Sequence, residues 1–274
     1  MLTNNTIARL TTPTEEAITR AKCSFALRLE HVDFITDLDW ELLATLREYD
    51  HGTVDHNIQT LFFARDQITR EHKLPLPNGT IRLRDLMKDV PAFEQGCLHH
   101  DIGKITVDPN IMFKKGPFEP HEREIVETHE DASRQILEFY GLKKAAKVAS
   151  QHHNYRKAAP ESVFRIPQLG IDVSEADILH LADVQHALLQ SRSYRKGLTS
   201  LKALRIMAEQ AMDGKVGKEI SCLWIKSEMD KLRRSYLLRP ESASWSETEN
   251  YTIINSFIKE EWANLALLCE KANP

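Results

Sequence analysis

The sequence contains twelve histidines, and several fall where a helix would bury them. After Pro120, the residues Ile125, His129, Ala132, Ile136 and Phe139 recur at helical spacing, which puts His129 on the apolar face. Ala145, Val148, Ala149 and His152 make a second stripe with His153 beside it. Phe93, Cys97 and His100 make a third, followed directly by Asp101; Ala176, Leu179, His180, Asp183 and Ala187 make a fourth. A lone histidine on an apolar face is usually a hydrogen-bonded core residue. A lone mid-helix aspartate is usually solvated, because burying an unpaired carboxylate is costly. The joint pattern is different: imidazoles and two carboxylates directed inward from several helices are expensive to bury unless metal satisfies them together. Helical bundles build metal sites in this way, from side chains on facing helices.

The sharpest local element is His100-Asp101. Neighbouring helical residues point about 100° apart, so the pair could approach a metal cluster from its edge. A carboxylate has two oxygens and can bridge two cations, which a neutral imidazole cannot do. Gly103 would let the chain turn tightly, and Lys104 would bring an ammonium to a phosphate or a leaving oxygen.

The elements needed to position these residues are helical. Residues 13–49 read as two or more helices, and residues 54–68 as another. Further helices are expected from Pro91 to near Gly103, over 119–140, 142–153, 174–189 and 200–212, and over about 218–238 and 246–271. Ser174 and Asp177 stand in capping-box spacing. Asn78-Gly79 between short apolar runs predicts a small β-hairpin near 74–83, whereas 154–171, with Pro160, Pro167 and Gly170, reads as loop. The expected fold is all-α, with a central domain over 51–220, a helical extension over 1–50 and a second over 221–274.

Charge and composition narrow the options. With 36 basic and 40 acidic residues the net charge is −4, which gives no global pull toward nucleic acid or anionic membrane. The four cysteines form no CxxC pair, so neither disulfides nor a thiolate zinc site is expected. No apolar run approaches the roughly 18 residues of a membrane span, and the first twenty residues lack a signal-peptide core. The expected location is the cytoplasm.

The series His99-His100-Asp101-Ile102-Gly103-Lys104 resembles the HDIGK signature of the HD superfamily of metal-dependent phosphohydrolases. Phe113-Lys114-Lys115-Gly116-Pro117-Phe118 is similar to that superfamily's "ILxKpgpL" segment. His152-His153 matches its paired histidines, and Asp183 through Arg195 its HD-GYP-branch tail. Asp55-His56-Asn57 resembles the opening helix, which favours His56 over His51 as the first ligand. The resemblance spans about residues 50–220. It implies one metal held by His56, His100, Asp101 and Asp183, and a second held by Asp101, His129, His152 and His153. His31, His72, His121, His180 and His186 are read as non-ligands. Such a nitrogen and oxygen donor set suits iron, manganese or zinc, and the resemblance favours iron or manganese.

The implied activity is hydrolysis of a phosphodiester by a bridging hydroxide at a two-metal site, with cyclic di-GMP as the leading substrate. Asp101 and Lys104 are then the catalytic residues, and Lys104, Arg192, Tyr194 and Arg195 bind the substrate. The chain departs from the branch at 154–162, where no DGxGYP loop follows the paired histidines, and at Gly52, where some relatives carry a third-metal carboxylate. The first departure predicts retained phosphate affinity with weaker guanine recognition. The alternatives are a phosphomonoesterase or nucleotidase of the wider superfamily, and a catalytically weak, metal-bearing nucleotide sensor or interaction module. The expected partner is a small phosphorylated molecule, a cyclic dinucleotide or nucleotide, rather than nucleic acid or membrane. The terminal helices are candidates for a homodimer contact.

Overall fold

The structure, a computed structural model, describes residues 1–153, 162–191, 196–234 and 245–272. Residues 154–161, where the DGxGYP loop would lie, and Arg192, Tyr194 and Arg195 fall outside the described residues. Chain contacts divide the protein into two units, Met1–Phe62 with Asp89–Asn154, and the described residues of Phe63–Lys88 and Tyr155–Pro274. Among the described residues the architecture is all-α apart from two short antiparallel strand pairs, and no helix is long and apolar enough to cross a membrane.

The first unit carries α1 (Asn4–Leu10), α2 (Glu15–Leu29), α3 (Asp37–Tyr49) and the start of α4 (His51–Thr69), then α5 (Val90–His99), α6 (Pro109–Met112), α7 (Pro120–Glu127), α8 (His129–Phe139) and α9 (Lys143–Ala149). Local chemistry sets many of the helix starts. Thr3, Thr14, Thr36 and Asp89 each accept a hydrogen bond from an orphan backbone N–H of the first turn. Thr36 and Asp39 complete a reciprocal capping box. Ala17, Ala21, Phe25 and Leu29 line one face of α2 at four-residue spacing and are buried; this helix packs on α3, where Leu42, Leu43 and Leu46 are buried. Where α5 crosses α9, a Cβ at Gly96 would come within 2.7 Å of Val148 Cβ, so only glycine permits this approach.

In the second unit the rest of α4 is joined by β1 (His72–Lys73) and β2 (Thr80–Ile81), paired His72 to Ile81 and Lys73 to Thr80. The predicted hairpin is therefore present, with Asn78 at φ +57. A second pair, β3 (Val163–Ile166) and β4 (Ile171–Ser174), stands where the sequence reads as loop. Alternation buries Phe164 and Ile166, and Gly170 at φ +64 closes the turn after Pro167. The remaining helices are α10 (Glu175–Leu189), α11 (Ser200–Met212), α12 (Lys218–Arg234) and α13 (Trp245–Ala272). A buried polar network joins α4, α10 and α12. Gln67 donates to Glu228 at 2.8 Å, Gln185 donates to Glu228 at 3.2 Å, and Trp224 Nε1 donates to Gln185 at 2.6 Å. Each of these groups would be costly to bury alone.

Three helix boundaries differ from the sequence-based expectation, and each bears on the histidines. The expected 119–140 helix breaks at Thr128, whose hydroxyl donates to the Ile125 carbonyl at 2.7 Å in competition with the helix. Ile125 and Phe139 are consequently exposed rather than in a core stripe. α5 ends at His99, so His100 and Asp101 lie beyond its last turn and lead into a 3-10 turn at Ile102–Thr106. α9 ends at Ala149, leaving His152 and His153 past the helix.

Asp177 in the first turn of α10 accepts backbone N–H bonds from Ser174 and Gly217. Burial, with help from Glu219, nevertheless raises its pKa to about 6. A carboxyl whose pKa is higher folded than unfolded contributes stability below its unfolded value of 3.8, which is lost as pH rises through about 6. Asp177→Asn should therefore raise stability by about 1–3 kcal/mol at pH 7.5 and leave it unchanged near pH 3. Urea midpoints at the two pH values measure this; equal midpoint shifts at both would contradict it.

Candidate metal centre

Asp101 is buried at the middle of the first unit's histidines, and its two oxygens face different partners. Oδ1 lies 3.2 Å from His129 Nε2 and 3.8 Å from His152 Nε2. Oδ2 lies 3.5 Å from His100 Nε2, 3.9 Å from His56 Nε2 and 2.5 Å from Lys104 Nζ. Two donor groups result: His56, His100 and Asp101, and His129, His152 and His153, with ligand atoms in each group within 4.8 Å of one another. His153 is the one exposed member. His51, the rival to His56, instead faces Asp55 Oδ2 at 3.3 Å and stacks against Phe25.

Helix ends aim these rings. His100 Nδ1 lies 2.9 Å from the Cys97 carbonyl, His129 Nδ1 2.6 Å from Val126 and His152 Nδ1 2.6 Å from Ala149. In every case the acceptor is three residues back and belongs to the last turn of a helix. A carbonyl can only accept, so Nδ1 carries the proton and Nε2 turns its lone pair toward Asp101. This is the usual outer-shell arrangement for a metal-ligating histidine.

The electrostatics fit a cation. His129 Nε2 and His152 Nε2 stand 3.2 Å apart, and Asp101 Oδ1 is at the same distance from the former. Neutral rings thus converge electron pairs on one point, which is stable only around a positive charge. Burial, then the neighbouring His153, His100 and His129, push the His152 pKa well below 6.5, so the ring stays neutral and able to ligate. Burial alone would raise the Asp101 pKa, but the Lys104 ammonium above all outweighs it and holds the carboxylate ionised.

Several supports were not evident in the sequence. His99 Nε2 meets Asp39 Oδ1 at 2.8 Å, both fully buried, tying the end of α5 to α3. Glu130 accepts from the His153 backbone N–H at 2.9 Å. Tyr49 OH donates to the Val107 carbonyl at 2.9 Å and fastens the segment after the 3-10 turn. These partners are 60, 23 and 58 residues apart in sequence, and no periodicity relates them. Gly103 also acts differently from expectation. Its φ is not positive; instead a Cβ there would overlap the His129 carbonyl and reach within 2.9 Å of Ala132 Cβ. The glycine is needed because α8 lies directly against the 3-10 turn.

Among the other expected residues, Asp183 is half-buried on α10 in the second unit and belongs to neither donor group. Lys104 is bonded to Asp101. His72 is buried with Nε2 at 2.7 Å from the Gln67 carbonyl, and the His186 ring lies 6.2 Å from that of Phe63. His31 and His121 are exposed. The four cysteines are free.

Residues 53–183 match the HD domain family. The match begins just before His56 and ends at Asp183. Two curated proteins of Vibrio cholerae serotype O1 are similar to part of the chain. One, "3'3'-cGAMP-specific phosphodiesterase 1", is 25% identical over 130 residues, 45% of this chain and 28% of the relative. The other, "3'3'-cGAMP-specific phosphodiesterase 3", is 33% identical over 119 residues, 42% of this chain and 25% of the relative. The matched stretch is thus about a quarter of the length of either relative.

Placing a methyl group at Gly103 must push α8 away from Asp101. Gly103→Ala should cost about 1–3 kcal/mol of stability and weaken binding of added Mn(II). Chemical denaturation together with calorimetric titration reads both, and unchanged metal affinity would contradict the close-approach argument.

Proposed function

We propose that this chain is a metal-dependent phosphodiesterase that hydrolyses a cyclic dinucleotide. The observation that carries the reading is Asp101, whose oxygens each face a separate histidine group. A bridging carboxylate between two donor sets is the arrangement of a two-metal hydrolase. In this reading His56, His100 and Asp101 hold one metal and Asp101, His129, His152 and His153 hold the other. Asp183, supported by the resemblance, is retained as the proposed fourth ligand of the first. The catalytic domain is taken as 51–220, of the HD-GYP type, with 1–50 and 221–274 as helical extensions.

Metals bound there would supply Lewis acidity at the phosphoryl group and a water that ionises near neutral pH. The chain's own residues do the rest. The buried, ionised Asp101 and the neutral His152 ring set the charge at the middle of the site. Lys104, partly exposed with its ammonium at Asp101, is placed to offset phosphate charge. Arg192, Tyr194 and Arg195 are proposed to bind the substrate on the strength of the resemblance, since arginine offers two parallel donors to a phosphate. The resemblance points to cyclic di-GMP, and the printed names of the two relatives point to 3'3'-cGAMP; both are cyclic dinucleotides. Iron or manganese is the proposed metal.

Assay of Mn- and Fe-loaded protein against both cyclic dinucleotides, linear dinucleotides, nucleotides and a generic phosphodiester tests the reading. The expected result is cleavage of a cyclic dinucleotide with kcat/KM at least tenfold above the others. Preference for a mononucleotide would instead establish the nucleotidase alternative. Asp101→Asn, which keeps shape and loses charge, should lower that activity by about 100-fold or more while far-UV circular dichroism stays the same. Undiminished turnover in this variant would place the chemistry elsewhere.

A further inference from the structure

Ser133 has a part in this centre that its residue type does not suggest. It lies on α8 one turn after His129 and is fully buried. Its hydroxyl donates to the His100 carbonyl at 2.7 Å and accepts the Gly103 backbone N–H at 2.8 Å. These two groups bracket Asp101 in the chain. One hydroxyl therefore pairs a carbonyl just past α5 with a buried N–H of the 3-10 turn, neither of which could be left unpaired cheaply. It does so from the helix that carries His129, a member of the opposite donor group. The gap between Asp101 Oδ1 and His129 Nε2, 3.2 Å, is set by this clamp together with the Gly103 contact.

We propose that Ser133 is a positioning residue that holds the two donor groups in register about Asp101. The inference rests on the two-metal reading above. Van der Waals contact brings α8 near the turn, but it cannot fix sliding along the helix axis; a hydroxyl bonded on both sides can. Without it, α8 and the turn keep their apolar packing and lose their alignment, so metal affinity falls further than fold stability does.

Cobalt(II) titration of the full chain tests this, reading affinity by competition with a chelator and geometry by the visible d–d bands. Ser133→Ala should weaken cobalt binding by about 10-fold or more, the usual scale for outer-shell partners, and shift the bands. Ser133→Cys, with a poor hydrogen-bonding group of similar shape, should do the same and serves if the alanine variant aggregates. Ser133→Thr keeps the hydroxyl and should bind within about threefold of wild type, even with a lowered Tm from its extra methyl. Ile136→Val, a buried truncation on the same helix, supplies the stability control and should leave affinity and bands unchanged. Wild-type affinity in both Ser133→Ala and Ser133→Cys would overturn the proposal while leaving the two-metal reading intact. A loss in Ser133→Thr or Ile136→Val equal to that in Ser133→Ala would reduce Ser133 to a packing residue and also overturn it. Failure of the wild type to bind cobalt would overturn both.

Discussion

The centre depends on one buried carboxylate. An ionised Asp101 out of contact with water would be several kcal/mol unfavourable if alone, yet the Lys104 ammonium above all holds it well on the ionised side. The groups around its oxygens come from three places in the chain: the turn after α5, the start of α8 and the opening of α4 through His56. The helix contacts of the first unit serve this arrangement. Gly96 lets α5 settle against α9, Asp39 anchors His99 from α3, and Gly103 lets α8 approach the turn.

Helix ends set the chemistry of the rings. His100, His129 and His152 each bond Nδ1 to a carbonyl in the last turn of a helix. The same contact stabilises the end, fixes the tautomer and aims Nε2. Breaks in the helices are thus part of how the donors are presented.

Those breaks mark the limit of what the sequence made legible. Burial of His100, His129 and His152 was readable because apolar neighbours recur around them, and the all-α class and the 74–83 hairpin followed from spacing and from Asn78-Gly79. The ends were not readable in the same way. A periodic stripe continues through Thr128, and only the back-bond of its hydroxyl to Ile125 shows that the helix stops. β3 falls inside the 154–171 stretch that reads as loop and β4 starts at its last residue; each has only four residues, too few for alternation to stand out beside Pro167 and Gly170. No motif or spacing marks Asp39 or Ser133 in the sequence. Their partners at His99, His100 and Gly103 are distant in sequence and met only on folding.

The central claim is that Asp101 joins two metal ions rather than supporting one. Electron paramagnetic resonance of protein loaded with two equivalents of Mn(II) measures this directly, since a shared carboxylate couples the spins of adjacent ions. The account predicts an exchange-coupled signal in the wild type that is replaced by uncoupled mononuclear manganese in Asp101→Asn. A purely mononuclear spectrum in the wild type, or coupling that survives the loss of the Asp101 charge, would contradict it.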